Sequence, residues 1–286
     1  MKYAMIRKHE TRHQVALMCR VLNVSRSGYY GWRDRPPSDR AQADARLAAD
    51  VHRVFDEHKG RAGAVRIAKQ LRTEGQRVGK NRIARVMQME GLRAKAARKY
   101  KATTNSNHTL PVAPNLLEQN FTATAPNQKW VRDITYVATD EGWLYLAVVL
   151  DLYSRLVVGW SMSDRMTVNL VSDALTMALW RRKMPTGVIV HSDRGSQYCA
   201  HAYQRLLRNN RLICSMSKKG DCYDNAAMES WNHSLKVEAI HGERFTTREK
   251  ARAQVFEYIE VYYNRKRLHS TLGYLSPESF EARKVA

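Results

Sequence analysis

WVRDITYVATDEGWLYLAVVLDLYSRLVVGWSM, residues 130–162, decides the fold of this chain. Trp130–Ala138 and Trp143–Leu150 are rich in β-branched, aromatic and aliphatic residues and are parted by the turn Asp140-Glu141-Gly142. Asp151-Leu152-Tyr153-Ser154-Arg155 leads into a third such run, Leu156–Met162. Three successive strand-like runs with short connections predict an antiparallel meander. Beyond it the period changes: Val168–Arg182 carries Leu170, Val171, Leu175 and Leu179 at helical spacing. Val188–His191 then reads as a fourth strand. Reached through a helix, it is expected to lie parallel to the first. A helix from Gln197 to Arg208 with Ser196 placed to cap it, a short strand Leu212-Ile213-Cys214, and a helix capped by Asp224 and running to about Ala239 complete the order β-β-β-α-β-α-β-α.

That order is the α/β architecture of ribonuclease H, with the first and fourth strands as neighbours. Its consequence is a convergence of three acids. Asp133 lies in the middle of the first strand, Asp193 just past the fourth (HSDRGSQY, 191–198), and Glu229 a turn inside the helix that follows Asp224 (DNAAMESW, 224–231). Thirty-five residues separate the second acid from the third. A single Asp or Glu is most often a cap, a turn residue or a surface charge. Carboxylates offered from three separate elements are what a pair of divalent cations needs. Mg²⁺ takes hard oxygen ligands, one or two carboxylates per ion plus substrate phosphate oxygens. Two such ions about 3.5–4 Å apart stabilise the attacking and leaving oxygens of an in-line phosphoryl transfer. Asp133, Asp193 and Glu229 are therefore the expected catalytic and metal-holding residues, with two Mg²⁺ or Mn²⁺ ions. On the last helix Met228, Trp231 and Leu235 form an apolar stripe that packs down, and Glu229, His233 and Lys236 a second stripe facing a groove. Trp130, Asp151, His191, Gln197 and Asn225 are expected to support the acids: Asp151 by bracing, His191 by packing beneath Asp193, Gln197 from a helix start beside the site.

A chain of 286 residues has room for a further domain. Its formal charge is +21, from 48 Lys and Arg against 27 Asp and Glu, which points to a polyanionic partner. The excess is lopsided: residues 1–115 carry a net +16 and residues 116–286 a net +5. Within 14–34, two short helices around a turn at Asn23 read as a helix-turn-helix, capped by Ser25 or Ser27 and presenting Arg26, Tyr29 and Tyr30. A helical hairpin that only packs on something else is the bland alternative. After Pro36-Pro37, Ala41–His58 places Leu47, Val51, Val54 and Phe55 at helical spacing. Gly60 and Gly63 break that helix, 65–71 repeat the pattern, and Lys80–Gly91 forms another, with Lys80, Arg82 and Arg85 exposed for phosphate or guanine contacts. RAKAARKYK, 93–101, is a basic arm, and 102–125, rich in Thr, Asn, Ala and Pro, a linker. The expected division is 1–40, a short helical segment; 41–101, a helix-turn-helix-like DNA-binding domain; 102–125, the linker; 126–245, the catalytic core; and 246–286, a helix and basic tail. On that tail Arg265, Lys266 and Arg267 are expected to contact the DNA backbone, as are Lys218, Lys219 and Lys236 near the acids. Cys19, Cys199, Cys214 and Cys222 form no CxxC pair and read as reduced thiols. With no signal peptide and no run of ~18 apolar residues, a cytoplasmic, nucleoid-associated protein without membrane contact is expected.

NQKWVRDITYV (127–137), LDLYSRLVVGW (150–160), HSDRGSQY (191–198), SMSKKGDCYDNAAMES (215–230) and YNRKRLHSTLGYLSPESF (263–280) together resemble the integrase-like core of bacterial insertion-sequence transposases. The likeness is to the two-frame family numbered three, whose second frame, OrfB, carries a DDE triad. VSRSGYYGW (24–32) and Gly60, Gly63, Arg66 and Ile67 extend it over nearly the whole chain. The resemblance implies a recombinase that binds the inverted-repeat ends of its element in double-stranded DNA, exposes a 3′-hydroxyl and joins it to another phosphodiester, working as at least a dimer. It also implies a partner: in that family the first frame, OrfA, encodes a further helix-turn-helix and leucine zipper and is fused to the second by frameshifting. Where the family often has a second aromatic after the glutamate, this chain has Asn232-His233. Two other readings stay open here: a hydrolytic nuclease of the same fold, and a DNA-binding regulator without catalysis.

Overall fold

The computed structural model describes residues 1–36, 38–95, 112–218 and 222–285. Pro37, Lys219, the 96–101 part of the basic arm and the 102–111 part of the expected linker lie outside them. The first segment forms α1 (Lys2–His9), then the two helices expected within 14–34, α2 (Val15–Val21) and α3 (Arg26–Arg33). Asn23 turns the chain at φ 49°, and Ser25 caps α3 by accepting from the Gly28 N–H at 2.9 Å. Tyr29, expected on the surface, is fully buried with Ile6 and Cys19, and its hydroxyl donates to Glu10. α1 supplies that cover, and its weak amphipathicity hid it. Next come α4 (Asp39–Glu57), α5 (Ala64–Thr73) and α6 (Lys80–Met89), which share a core of their own built on Val51, Val54, Ile67, Leu71 and Ile83.

The second half is built on a five-stranded sheet in the order β3-β2-β1-β4-β5. β1 (Lys129–Thr139), β2 (Gly142–Asp151) and β3 (Val157–Ser163) form the antiparallel meander, and β4 (Ile189–Ser192) and β5 (Ile213–Met216) run parallel to β1. Alternation along β2 divides the core, since successive side chains point to opposite faces. Leu144, Leu146, Val148 and Leu150 meet α10 (Ala226–Leu235) and α11 (Arg248–Phe256) on one face. Ala147 and Val149 meet α7 (Val168–Arg181), α8 (Ser196–Cys199) and α9 (His201–Asn209) on the other. α7 rides very close to β3 because residue 159 is Gly: a Cβ there would stand 2.2 Å from the Ala174 carbonyl oxygen.

Several helix ends differ from expectation. Ser196 begins α8 instead of capping it, and the chain breaks at Ala200, in extended backbone, before α9. Asp224 lies in a 3₁₀ turn (Cys222–Asn225), and its carboxylate accepts from the Asn115 side chain at 2.9 Å and the Lys218 N–H at 2.7 Å. Residues 112–117, expected to be linker, run along the core: Leu117 is buried in it, and the Pro114 carbonyl accepts from the Met216 N–H. α10 continues as a π-helical segment (Lys236–Ile240), and α11 as another (Glu257–Tyr263) that buries Tyr258, Ile259, Tyr262 and Tyr263. The C-terminus is thus packed on the sheet, ending in α12 (Pro277–Val285).

The α4–α5 corner docks on this C-terminal layer through buried charge. Arg61 donates to the Glu238 carbonyl oxygen at 3.1 Å and pairs with Glu257 at 3.0 Å; Arg66 pairs with the Glu238 carboxylate at 3.2 Å.

A candidate catalytic site of three carboxylates

Asp133 sits mid-strand on the α10 face of the sheet, opposite Val148 of β2. Its Oδ1 accepts from the Ile134 N–H and its Oδ2 from the Asn232 side chain, both at 2.8 Å. Across the parallel pair, Val131 matches His191, so Asp133 and Asp193 each lie two residues beyond matched positions. Asp193 is held by the Gly195 N–H, which donates to Oδ1 at 3.0 Å. Burial, then the charge of Asp193 and more weakly that of Glu229, push the Asp133 carboxyl up to about 7, with the hydrogen bonds from Ile134 and Asn232 opposing. Two carboxylates crowded this way are what an intervening cation would relieve, and an all-oxygen donor set suits Mg²⁺. Glu229 is exposed on α10 above them, with Met228, Trp231 and Leu235 packed down as the apolar stripe. The carboxylates are neighbours and not yet a closed shell: among the described residues no three His, Cys, Asp or Glu stand where they would hold one ion together.

Asn232 is the residue that sequence reasoning missed. It follows Glu229 by three positions and so shares its face; only the departure from a family aromatic marked it out. Arg132 was missed as well. It is 1 % exposed, stacks between the rings of Tyr198 and Tyr203 at 4.6 and 4.4 Å, and lies within electrostatic reach of Asp193. A charged residue at an inward strand position was its only signal.

The expected supports are placed as follows. His191 is fully buried, its two ring nitrogens 2.8 Å and 3.2 Å from the hydroxyls of Ser215 and Ser217, and burial pulls its pKa down to about 4. Asp151 braces the start of β1: it accepts from the Asn127 and Tyr153 N–H groups at 2.9 Å and pairs with Arg182 at 3.4 Å. Trp130 is buried under the sheet, Asn225 lies 3.5 Å from the Arg132 carbonyl oxygen, and Gln197 donates to the Met166 carbonyl. Among the cations, Arg26, Lys80, Lys218 and Lys266 are exposed. Arg82 and Arg85 are each tied to Asp44, at 2.8 and 2.6 Å. Arg265 pairs with Glu278 at 3.3 Å. Lys236 turns from the groove onto β1, where it donates to the Tyr136 carbonyl at 2.5 Å. Arg267 is buried and grips Glu238 with two nitrogens at 2.8 Å, so the expected basic tail loses its last member to the core.

Fold and acids together define an integrase-type polynucleotidyl transferase core. Comparison with known families agrees. The integrase core domain family matches residues 123–222 and again 229–285, and the HTH-like domain family matches 42–100. Transposase InsF for insertion sequence IS3A of Escherichia coli (strain K12) is 54 % identical over 288 aligned residues, covering all of both chains. An insertion element IS600 31 kDa protein of Shigella sonnei is 51 % identical over 92 % of this chain and 97 % of its own. Among solved structures, a simian T-cell lymphotropic virus intasome in complex with a PP2A regulatory subunit aligns with TM-score 0.47 and 14 % identity, over 83 % of this chain and 74 % of that one. The chain belongs to the insertion-sequence transposase family of InsF, and it is a transposase with an integrase catalytic core. No helix among the described residues is long and apolar enough to cross a membrane.

Proposed function

We propose that this transposase binds the ends of its element as duplex DNA and joins a 3′-hydroxyl there to target DNA, with Asp133, Asp193 and Glu229 as the metal-holding residues. What carries the reading is the approach of Asp133 on β1 to Asp193, just past the end of the neighbouring parallel strand β4, with Glu229 also within electrostatic reach. A pair of Mg²⁺ ions held there would supply Lewis-acid stabilisation of the attacking and leaving oxygens. The chain's own residues prepare that site. Asn232 fixes the orientation of Asp133, the Gly195 N–H fixes Asp193, and α10 is anchored by its apolar stripe so that Glu229 overhangs both. Lys218, beside the acids, and Arg26 and Lys80, on the helical half, are the exposed cations suited to phosphate. Using a DNA hydroxyl in place of water is then a matter of position, since holding a second strand at near-attack distance contributes several kcal/mol. Two element ends require at least two copies of the chain, and the first-frame OrfA product or a fusion with it is the expected partner.

The test uses full-length protein and a duplex carrying the element end, with OrfA added where needed. Asp133→Asn, Asp193→Asn and Glu229→Gln should each abolish cleavage and joining while DNA binding persists. Joined product should form from a pre-cut 3′-hydroxyl end and vanish with a dideoxy end. A triad variant that joins at near wild-type rate overturns the assignment. Nicking alone, with ends shown to be bound and paired, moves the chain to the hydrolytic reading.

A further inference from the structure

A pocket of about 220 Å³ opens on the flank of α10, between that helix, the turn after β2 and the stretch that follows the second π-helical segment. Its polar lining is Arg155, His269, Thr271, Ser230 and Ser234, and no carboxylate lines it. Trp231 and Tyr263 contribute apolar wall. Arg155 is its unusual member. Its backbone sits at φ 59°, a left-handed conformation that side chains other than Asn and Asp rarely adopt and that persists where the surroundings impose it. The arginines around it are committed: Arg267 and Arg66 to Glu238, Arg182 to Glu281 and Asp151. Arg155, half-buried, makes no hydrogen bond or ion pair with a described residue. Burial works against its charge while Tyr263 and Asp151 favour it only through space, so this guanidinium would gain by hydrogen bonding to an anion.

The rest of the lining suits the same ligand. The Thr271 hydroxyl lies 2.8 Å from Nδ1 of His269, so a donating Thr271 leaves the ring proton on Nε2 as a neutral donor. Burial, then Arg267, Arg155 and Arg66, pull the His269 pKa down to about 4, with Glu238 opposing. Ser230 directly follows Glu229 on α10. Successive helical residues stand about 100° apart around the axis, so the pocket and Glu229 occupy neighbouring flanks of α10.

We propose that this pocket binds a backbone phosphate of the DNA strand, close to the bond at the carboxylates, through Arg155 and His269. The assignment rests on the proposed reading only in taking Glu229 to mark where the strand runs. The test is the salt dependence of binding of an element-end duplex to the full-length protein. Arg155→Gly removes the guanidinium and relieves the left-handed backbone, so the fold is kept. It should weaken binding roughly tenfold, as loss of a charge-assisted hydrogen bond does, and lower the slope of log K against log salt by about 0.9, one phosphate contact. Arg155→Lys should keep the slope. A single methylphosphonate, moved one position at a time back from the reacting end, should at one position reproduce the loss in wild-type protein and add nothing there in Arg155→Gly. Unchanged affinity and slope in a normally melting Arg155→Gly protein would overturn the proposal. So would thermal stabilisation by inorganic phosphate that disappears in Arg155→Gly while the DNA slope stays the same, since the pocket would then serve a free anion. Asp133→Asn separates the two readings: it should stop joining and leave the slope untouched.

Discussion

Replacing Glu238 by Gln removes one charge from a buried cluster and strands another. Glu238 is 6 % exposed; its oxygens accept from Arg267 at 2.8 Å twice, from Arg66 at 3.2 Å and from the Tyr258 hydroxyl at 3.0 Å. Burial alone would raise its carboxyl. The Arg267 hydrogen bonds and the charges of Arg267 and Arg66 override it and hold the group below the usual carboxylate range. With Gln at 238, Arg267, itself 6 % exposed, keeps a full charge without a counter-ion. Breaking a buried pair from one side costs about 3–5 kcal/mol. At roughly 2 °C per kcal/mol for a chain of this size, the melting temperature should fall by about 6–10 °C. A thermal melt reads that shift and urea unfolding followed by tryptophan fluorescence the free-energy loss, and Glu238→Gln/Arg267→Met supplies the control. Removing both partners should cost clearly less than the sum of the single changes. The pH dependence has a definite sign. A folded-state pKa below the unfolded one gives stability that is present above about pH 4.3 and is lost as pH falls through the folded value, so the wild-type advantage should close in acid. A Glu238→Gln protein within about 1 kcal/mol of wild type at pH 7, or a double variant that loses the full sum, would refute a buried, mutually dependent pair.

Three further outcomes are expected. Gly159→Ala drives a Cβ to 2.2 Å from the Ala174 carbonyl and 2.7 Å from the Ala178 nitrogen; since both are backbone atoms, the overpacking should cost at least about 3 kcal/mol in the same urea assay. Because Asp133 is held near 7 and must lose its proton before a cation binds, Mg²⁺ affinity measured by calorimetry should rise roughly tenfold from pH 6 to pH 8; a flat profile would count against Asp133 as a ligand. His191, whose folded pKa is near 4, leaves the unfolded chain binding the extra proton between about 6.5 and 4, so stability should fall by up to about 3 kcal/mol across that window as pH drops. A His191→Asn protein should lose less between pH 7 and pH 5.

The sheet could be read from sequence because its signals are local. β-rich runs parted by turn residues, and the change to helical spacing after Val168, put every strand within one or two residues of its observed bounds. Helix ends depended on distant chemistry and could not. Asp224 has the right side chain for a cap, but Asn115, 109 residues away, and the Lys218 N–H compete for its oxygens. Arg267 looked like one more surface cation because its partner, Glu238, is 29 residues back in a helix that carries no local sign of facing it.

The same distinction runs through the site. Three carboxylates could be proposed from residue type and spacing, because two-metal chemistry restricts which side chains serve. What orients and balances them is set by geometry: Asn232 on one oxygen of Asp133, and Arg132 buried behind Asp193. For the cations, net charge survives internal pairing, so attraction to a polyanion was legible from +21 alone. Touching a phosphate requires a cation whose neighbours leave it available. Asp44 holds Arg82 and Arg85, Glu238 holds Arg66 and Arg267, and the Tyr136 carbonyl holds Lys236. Arg155, unremarkable in sequence, has no hydrogen-bonded or ion-paired partner among the described residues, and its left-handed turn places it at the flank of α10.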